Sequence, residues 1–222
     1  MTVSRPLLCC LFLALAATAA ASDTVTIAPL QCGDDEREEG AGACPQETKF
    51  TAGIVSTALH LKVGGEAAGC DSEWATSLEF GLEAVPAQQP VVSAVLIVRK
   101  TGYSDDSEGF PYVGVFAYPA TGAPVTVGRD ELTPDTMLDV VFPSSANVDL
   151  SFDVTAAVQS LVDAGAARAG FLLAGVYSEV GYEDWISVGG TAYAVPPRLV
   201  VVYEGTVAAP ADSWSAVKAA YR

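Results

Sequence analysis

The stretch VDLSFDVTAAVQSLVDAGAARAGFLLAGVYSEVGYEDWISVGGTAYAVPPRLVVVY, Val148–Tyr203, changes its hydrophobic period twice, and those changes set the fold class. Val148, Leu150, Phe152 and Val154 alternate with Asp149, Ser151 and Asp153, the period of two of a half-buried strand. Val154, Val158, Leu161 and Val162 then fall on one helical stripe. Asp153 or Thr155 is placed to cap that helix, and Gly165 to end it in a left-handed turn. A buried strand follows, then a polar loop with one Trp. After Pro196-Pro197, a β-branched run from Leu199 to Tyr203 closes the stretch. Such a segment builds a sheet with one short helix packed on it.

Working outward, Trp74, Thr76, Leu78 and Phe80 alternate with Ala75, Ser77 and Glu79, which puts Trp74 on the core side of a strand. Val91–Val98 is apolar on both faces, as expected of a central strand covered on both sides. In the strand 54–63, Leu59, Leu61 and Val63 share a face and the single histidine, His60, falls on the other, a surface position. Further strands are expected over 24–30, 112–118, 125–127 and 137–142, nine to eleven in all. Turn signals recur at the intervals of a β-sandwich or barrel, and no strand–helix alternation points to a parallel α/β sheet.

Three segments carry a likeness to a known family. FDVTAAVQSLVDAGAARAGFLLAG followed by PPRLVVVYE resembles the C-terminal half of DNRLRE-type domains, and ATSLEFGLEAVPAQQPVVSAVLIV resembles their N-terminal half. The likeness spans roughly residues 24–204. It implies a jelly-roll β-sandwich of a secreted protein related to carbohydrate-binding modules. The family's Phe-Asp-Leu reads Phe80-Gly81-Leu82 here, and its Ser-Arg-Glu reads Ser187-Val188-Gly189, so functions tied to those two carboxylates do not carry over. The expected fold is therefore all-β: a jelly-roll-like antiparallel β-sandwich with one short internal helix and a short C-terminal helix.

The expected domain plan has three parts. Residues 1–21 read as a signal peptide, with Arg5, an apolar core from Leu7 to Ala17 and small residues up to Ala21, and the run is too short for a membrane span. Residues 22–204 form the β-sandwich, and residues 205–222 a linker and a tail helix with Trp214, Val217 and Tyr221 on one side, a candidate surface for a protein partner. Twenty-seven acidic and 11 basic residues give a net charge of −16 at pH 7, which disfavours nucleic acid and anionic surfaces. The expected location is extracellular.

Two acidic loops, one with Asp34 and Asp35 and one with Asp105, Asp106 and Glu108, are candidate calcium ligands. A solvated, disulfide-closed loop is the plainer reading of the first, which Cys32 and Cys44 flank. A Cys32–Cys44 disulfide leaves Cys70 free or paired between chains.

Enzyme signatures are missing: the sequence has no Gly-rich nucleotide loop, HExxH, GxSxG or CxxC. A non-catalytic carbohydrate-binding module is the leading expectation, with a polysaccharide or cell-surface glycan as partner. A structural or adhesive component of a surface assembly stands close behind, and a polysaccharide hydrolase or lyase third. Ile186 and Val188 claim the apolar face of their strand, which turns Trp185 outward with Glu183 and Ser187. With Tyr182 and Tyr193 it forms the candidate glycan platform: an indole for the sugar's C–H face, polar neighbours for its hydroxyls. The alternative places Trp185 under a second apolar layer. The strong negative charge favours a neutral or cationic glycan over an acidic one.

Overall fold

The computed structural model describes residues 22–39, 49–56, 59–68, 70–103, 112–143, 145, 147–176 and 185–205. The leader, Cys44, the acidic loop at 105–108, Tyr182, Glu183 and the tail helix lie outside the described residues, as does the side chain of Cys70.

Residues Ser22–Gly205 form one compact unit. Its thirteen strands are β1 (Ser22–Ile27), β2 (Pro29–Glu39), β3 (Lys49–Ala52), β4 (His60–Ala68), β5 (Cys70–Gly81), β6 (Val91–Tyr103), β7 (Tyr112–Tyr118), β8 (Val125–Gly128), β9 (Met137–Val141), β10 (Asp149–Asp153), β11 (Arg168–Val176), β12 (Trp185–Gly189) and β13 (Arg198–Glu204). Among the described residues one α-helix, α1 (Thr155–Asp163), stands between β10 and β11, and a 3-10 turn spans Arg129–Glu131. The fold is all-β and its described pairings are antiparallel. The main sheet runs β1-β13-β6-β12-β4-β5-β11-β7-β9, with β10 added on β6 and β2 on β5, and it curls into a half-barrel. β3 and β8 form a separate ribbon.

β6 makes the curl. Its first part pairs with β13 and β10, and its last residues, Lys100 to Tyr103, pair with β12. Residues on alternate positions of β6, Ala94, Leu96 and Val98, enter a core with Leu78, Phe80, Phe152 and Phe171. The expectation that both faces of Val91–Val98 are covered is corrected here. β6 is central because strands flank both of its edges, but its second face, with Ser93, Val95 and Ile97, is only half covered. Lys100, near the point where β6 changes partners, is buried, which holds its ammonium below the ordinary lysine range.

The largest correction concerns 31–39. Read as an acidic loop, this segment is part of β2 and pairs along β5 from Gln31↔Glu79 to Glu39↔Asp71. Its acids are tolerated because neighbouring backbone groups use them. Asp34 Oδ2 accepts the Lys62 amide at 3.0 Å, and Asp35 Oδ2 accepts the Thr51 amide. Cys32 points into the core, 1 % exposed, where its Sγ accepts the Thr191 amide at 3.1 Å, and it is a free thiol among the described residues.

α1 follows the sequence pattern closely. Val158 and Val162 enter the core. The position directly before the helix is Val154, so the cap comes from one residue further out. Asp153 Oδ1 accepts the Thr155 amide at 2.9 Å and its hydroxyl at 2.6 Å. Thr155 Oγ1 in turn accepts the Ala94 amide of β6 at 2.9 Å, tying the helix to the sheet. Gly165, at φ +66°, ends the helix, with the Ala166 amide on the Leu161 carbonyl and the Gly165 amide on that of Val162.

The β3–β8 ribbon covers the second face of β5 and β11, where Phe50, Val127, Phe116 and Leu172 build a smaller core. Within this layer Glu79 is wholly buried. Its carboxylate takes Arg168 Nη1 at 3.0 Å and the Tyr118 hydroxyl at 3.3 Å. Burial, reinforced by the charge of Glu79, pushes the Tyr118 phenol far above its ordinary pKa.

Two outcomes are expected. Arg168→Met strands the Glu79 charge and costs about 3 kcal/mol, whereas Glu79→Met with Arg168→Met recovers much of that loss; chemical denaturation of the three proteins checks this. Asp153→Ala costs roughly 0.5–2 kcal/mol. The hydrogen bonds from Thr155 lower the Asp153 pKa from 3.8, so the cap's contribution is full above that value and is lost as pH falls through the lower folded pKa. The melting difference between wild type and Asp153→Ala should therefore hold at neutral pH and shrink in strong acid.

Candidate functional site

β12 alternates as its sequence requires: Ile186 and Val188 are fully buried, while Trp185 and Ser187 are half-buried on the other side. On β4, Leu61 and Val63 point into the core, and register places Trp185 opposite Gly64 and Ser187 opposite Lys62. Gly64 is also opposite Trp74 on β5, so one glycine has an indole on each flank. The two rings meet edge to face, centroids 6.5 Å apart. A residue with a side chain at Gly64 would be strained, since its φ is +128°.

Lys62 completes the group. Its Nζ stands 4.2 Å from the Trp74 ring centroid and 4.8 Å from that of Trp185. Both contacts lie within cation–π range, and the quadrupoles of the two rings attract the same ammonium. Among the described residues Lys62 makes no salt bridge, whereas Arg99, Arg129, Arg168 and Arg198 each pair with a carboxylate.

Trp74 lies on the core side of β5, as alternation requires. It is buried, 7 % exposed, but it belongs to neither core. The alternation along β5 is as expected; the strand simply outruns the core. At Leu78 and Phe80 its face meets apolar neighbours, at Thr76 the hydroxyl donates to the Lys62 carbonyl at 2.8 Å, and at Trp74 it meets Lys62 and Trp185.

Trp185 thus faces outward, as strand alternation requires, and is supported from the side by a second indole. Tyr193 lies elsewhere on the surface, its ring 5.3 Å from His60. His60 is exposed as expected, and its Nδ1 is 2.8 Å from Thr101 Oγ1. Asp34 and Asp35 are on β2 with oxygens engaged by backbone amides, and no group of three or more metal-ligating side chains occurs among the described residues. Asp105, Asp106, Glu108, Tyr182 and Glu183 lie outside those residues. Lys62 and Trp74 carried no local signal, because the register that gathers them joins β4, β5 and β12 across the chain.

The site can present flat apolar rings beside the three donors of an ammonium and the hydroxyl of Ser187. No protein-family model matches the chain, and no curated protein matches its sequence.

Proposed function

We propose that the chain is a secreted, non-catalytic carbohydrate-binding module on a jelly-roll-like β-sandwich, and that its glycan rests on Trp185 and Lys62, with the buried Trp74 behind them. The observation that carries this reading is the pair of indoles under one ammonium on the polar side of β12 and β4. The half-buried indole of Trp185 lies outside both cores, and a sugar's C–H face gains by packing on it and its hydroxyls by meeting Lys62 and Ser187. The resemblance to DNRLRE-type domains supports the same reading. A neutral glycan suits the chain's charge.

A second reading, self-association in a surface assembly, draws on a different patch. Tyr112 and Phe142 are exposed, their rings 5.1 Å apart, and Val140 of β9 is exposed as well. β9 ends the main sheet.

A glycan array probed with the full chain tests the first reading, with sedimentation velocity for the second. Trp185→Ala should abolish glycan binding and cost about 0.5–1.5 kcal/mol of stability through the lost contact with Trp74. Loss of about 3–5 kcal/mol would instead mark Trp185 as a core residue. No binding to any glycan, with concentration-dependent association that Phe142→Ser removes, would select the adhesive reading. Shortening of the polysaccharide would select a hydrolase or lyase.

A further inference from the structure

The face of β4 that carries Lys62 and Gly64 has a second aromatic pair at its beginning. His60 stands two residues before Lys62 on the same side, and its ring meets Tyr193 at a centroid distance of 5.3 Å and a tilt of 58°. The position of each ring is fixed. His60 Nδ1 is hydrogen-bonded to Thr101 Oγ1 at 2.8 Å. Tyr193 lies directly on Gly189, the register partner of His60, so closely that a Cβ at that glycine would come within 2.7 Å of Tyr193 Cδ1. The turn holding Tyr193 is closed by its amide on the Gly190 carbonyl at 3.1 Å, and the Gly190 amide bonds the Leu59 carbonyl at 2.9 Å.

Between the two aromatic pairs the surface is polar. Ser187 and Lys62 are cross-strand partners there, and Ser187 is opposite Gly102 of β6, where even an added Cβ would find ordinary contact distance, 3.7 Å. From Gly64 to His60 is four residues of extended strand, about 13 Å. The same spacing separates Trp185 from Gly189 on β12. The order along the sheet is therefore indole pair with the Lys62 ammonium on it, the Ser187 hydroxyl, then the imidazole–phenol pair.

Resting on the carbohydrate-binding reading above, we infer that His60 and Tyr193 form a second sugar subsite, and that the ligand is a linear oligosaccharide lying along β4 and β12. The two aromatic pairs are farther apart than one pyranose ring extends, so a monosaccharide touches one pair only. A chain places one ring at each pair and presents the intervening hydroxyls to Lys62 and Ser187. The site then recognises an internal run of a polysaccharide, in contrast to a pocket that takes a chain end.

The test uses the full chain and a printed series of β-1,4-linked glucose, mannose, xylose and N-acetylglucosamine oligomers, from monosaccharide to hexasaccharide. For whichever sugar binds, affinity should rise at least about tenfold with length and then level off. Tyr193→Ala should reduce the longest oligomer to the affinity of the shortest while leaving the shortest unchanged, and Trp185→Ala should weaken every length. His60→Ala removes the partner ring at an exposed position and should reproduce the Tyr193 effect if the Tyr193 variant fails to fold. Affinity independent of length, or long oligomers indifferent to both variants, overturns the second subsite and leaves the Trp185 reading standing. Failure of every oligomer to bind overturns both.

Discussion

Glu79 is the constraint around which the middle of the molecule is arranged. A carboxylate with no exposure needs compensation from several directions, and Arg168 and Tyr118 supply it from β11 and β7. β11 therefore must lie beside β5, and β7 beside β11, in one register, which the ladders from Arg168↔Gly81 to Ala174↔Ala75 and from Gly170↔Tyr118 to Val176↔Tyr112 realise. The covering ribbon obeys the same demand. Gly53, just after β3, passes so near Glu79 that an added Cβ would be 3.0 Å from its Oε1, and its amide donates to Ser77 Oγ at 3.1 Å. A polar centre of this kind contributes less to net stability than to choosing one arrangement among the many that an apolar layer would accept.

How much of this the sequence disclosed depends on the range of the interaction. Local signals were legible: the alternation at Leu150 and Phe152, the helical stripe of Val158 and Val162, the left-handed turn at Gly165, the outward set of Trp185. Each is decided within a few residues by period and backbone sterics. β2 was not legible, since a run of acids reads as solvated unless one knows that the amides of Lys62 and Thr51 will donate to the carboxylates of Asp34 and Asp35. Trp74 shows the same limit. Its burial was evident from alternation, but its contact with Lys62 and Trp185 depends on where β4 and β12 cross.

The candidate site is likewise a product of register more than of motif. Trp74, Trp185 and Lys62 come from three strands, and Gly64 is their common neighbour. Its missing side chain leaves the indoles free to meet. The strands that carry the rings are anchored by Val63 and Ile186, both fully buried in the main core. Preformed aromatic platforms lose little entropy on binding, which lets modest contacts suffice for a weak, reversible grip.

The pairing of β1 with β13 governs how the chain reaches this state. Ser22 is opposite Glu204 and Ile27 opposite Leu199, so the first described strand finds its ladder partner in the last. A ribosome releasing the chain in order holds β1 without that partner until nearly the whole domain has emerged. Closing so long a loop is entropically slow, and the edge of the sheet stays unsealed in the meantime. The β1–β13 ladder is thus among the last to close, a delay written into topology.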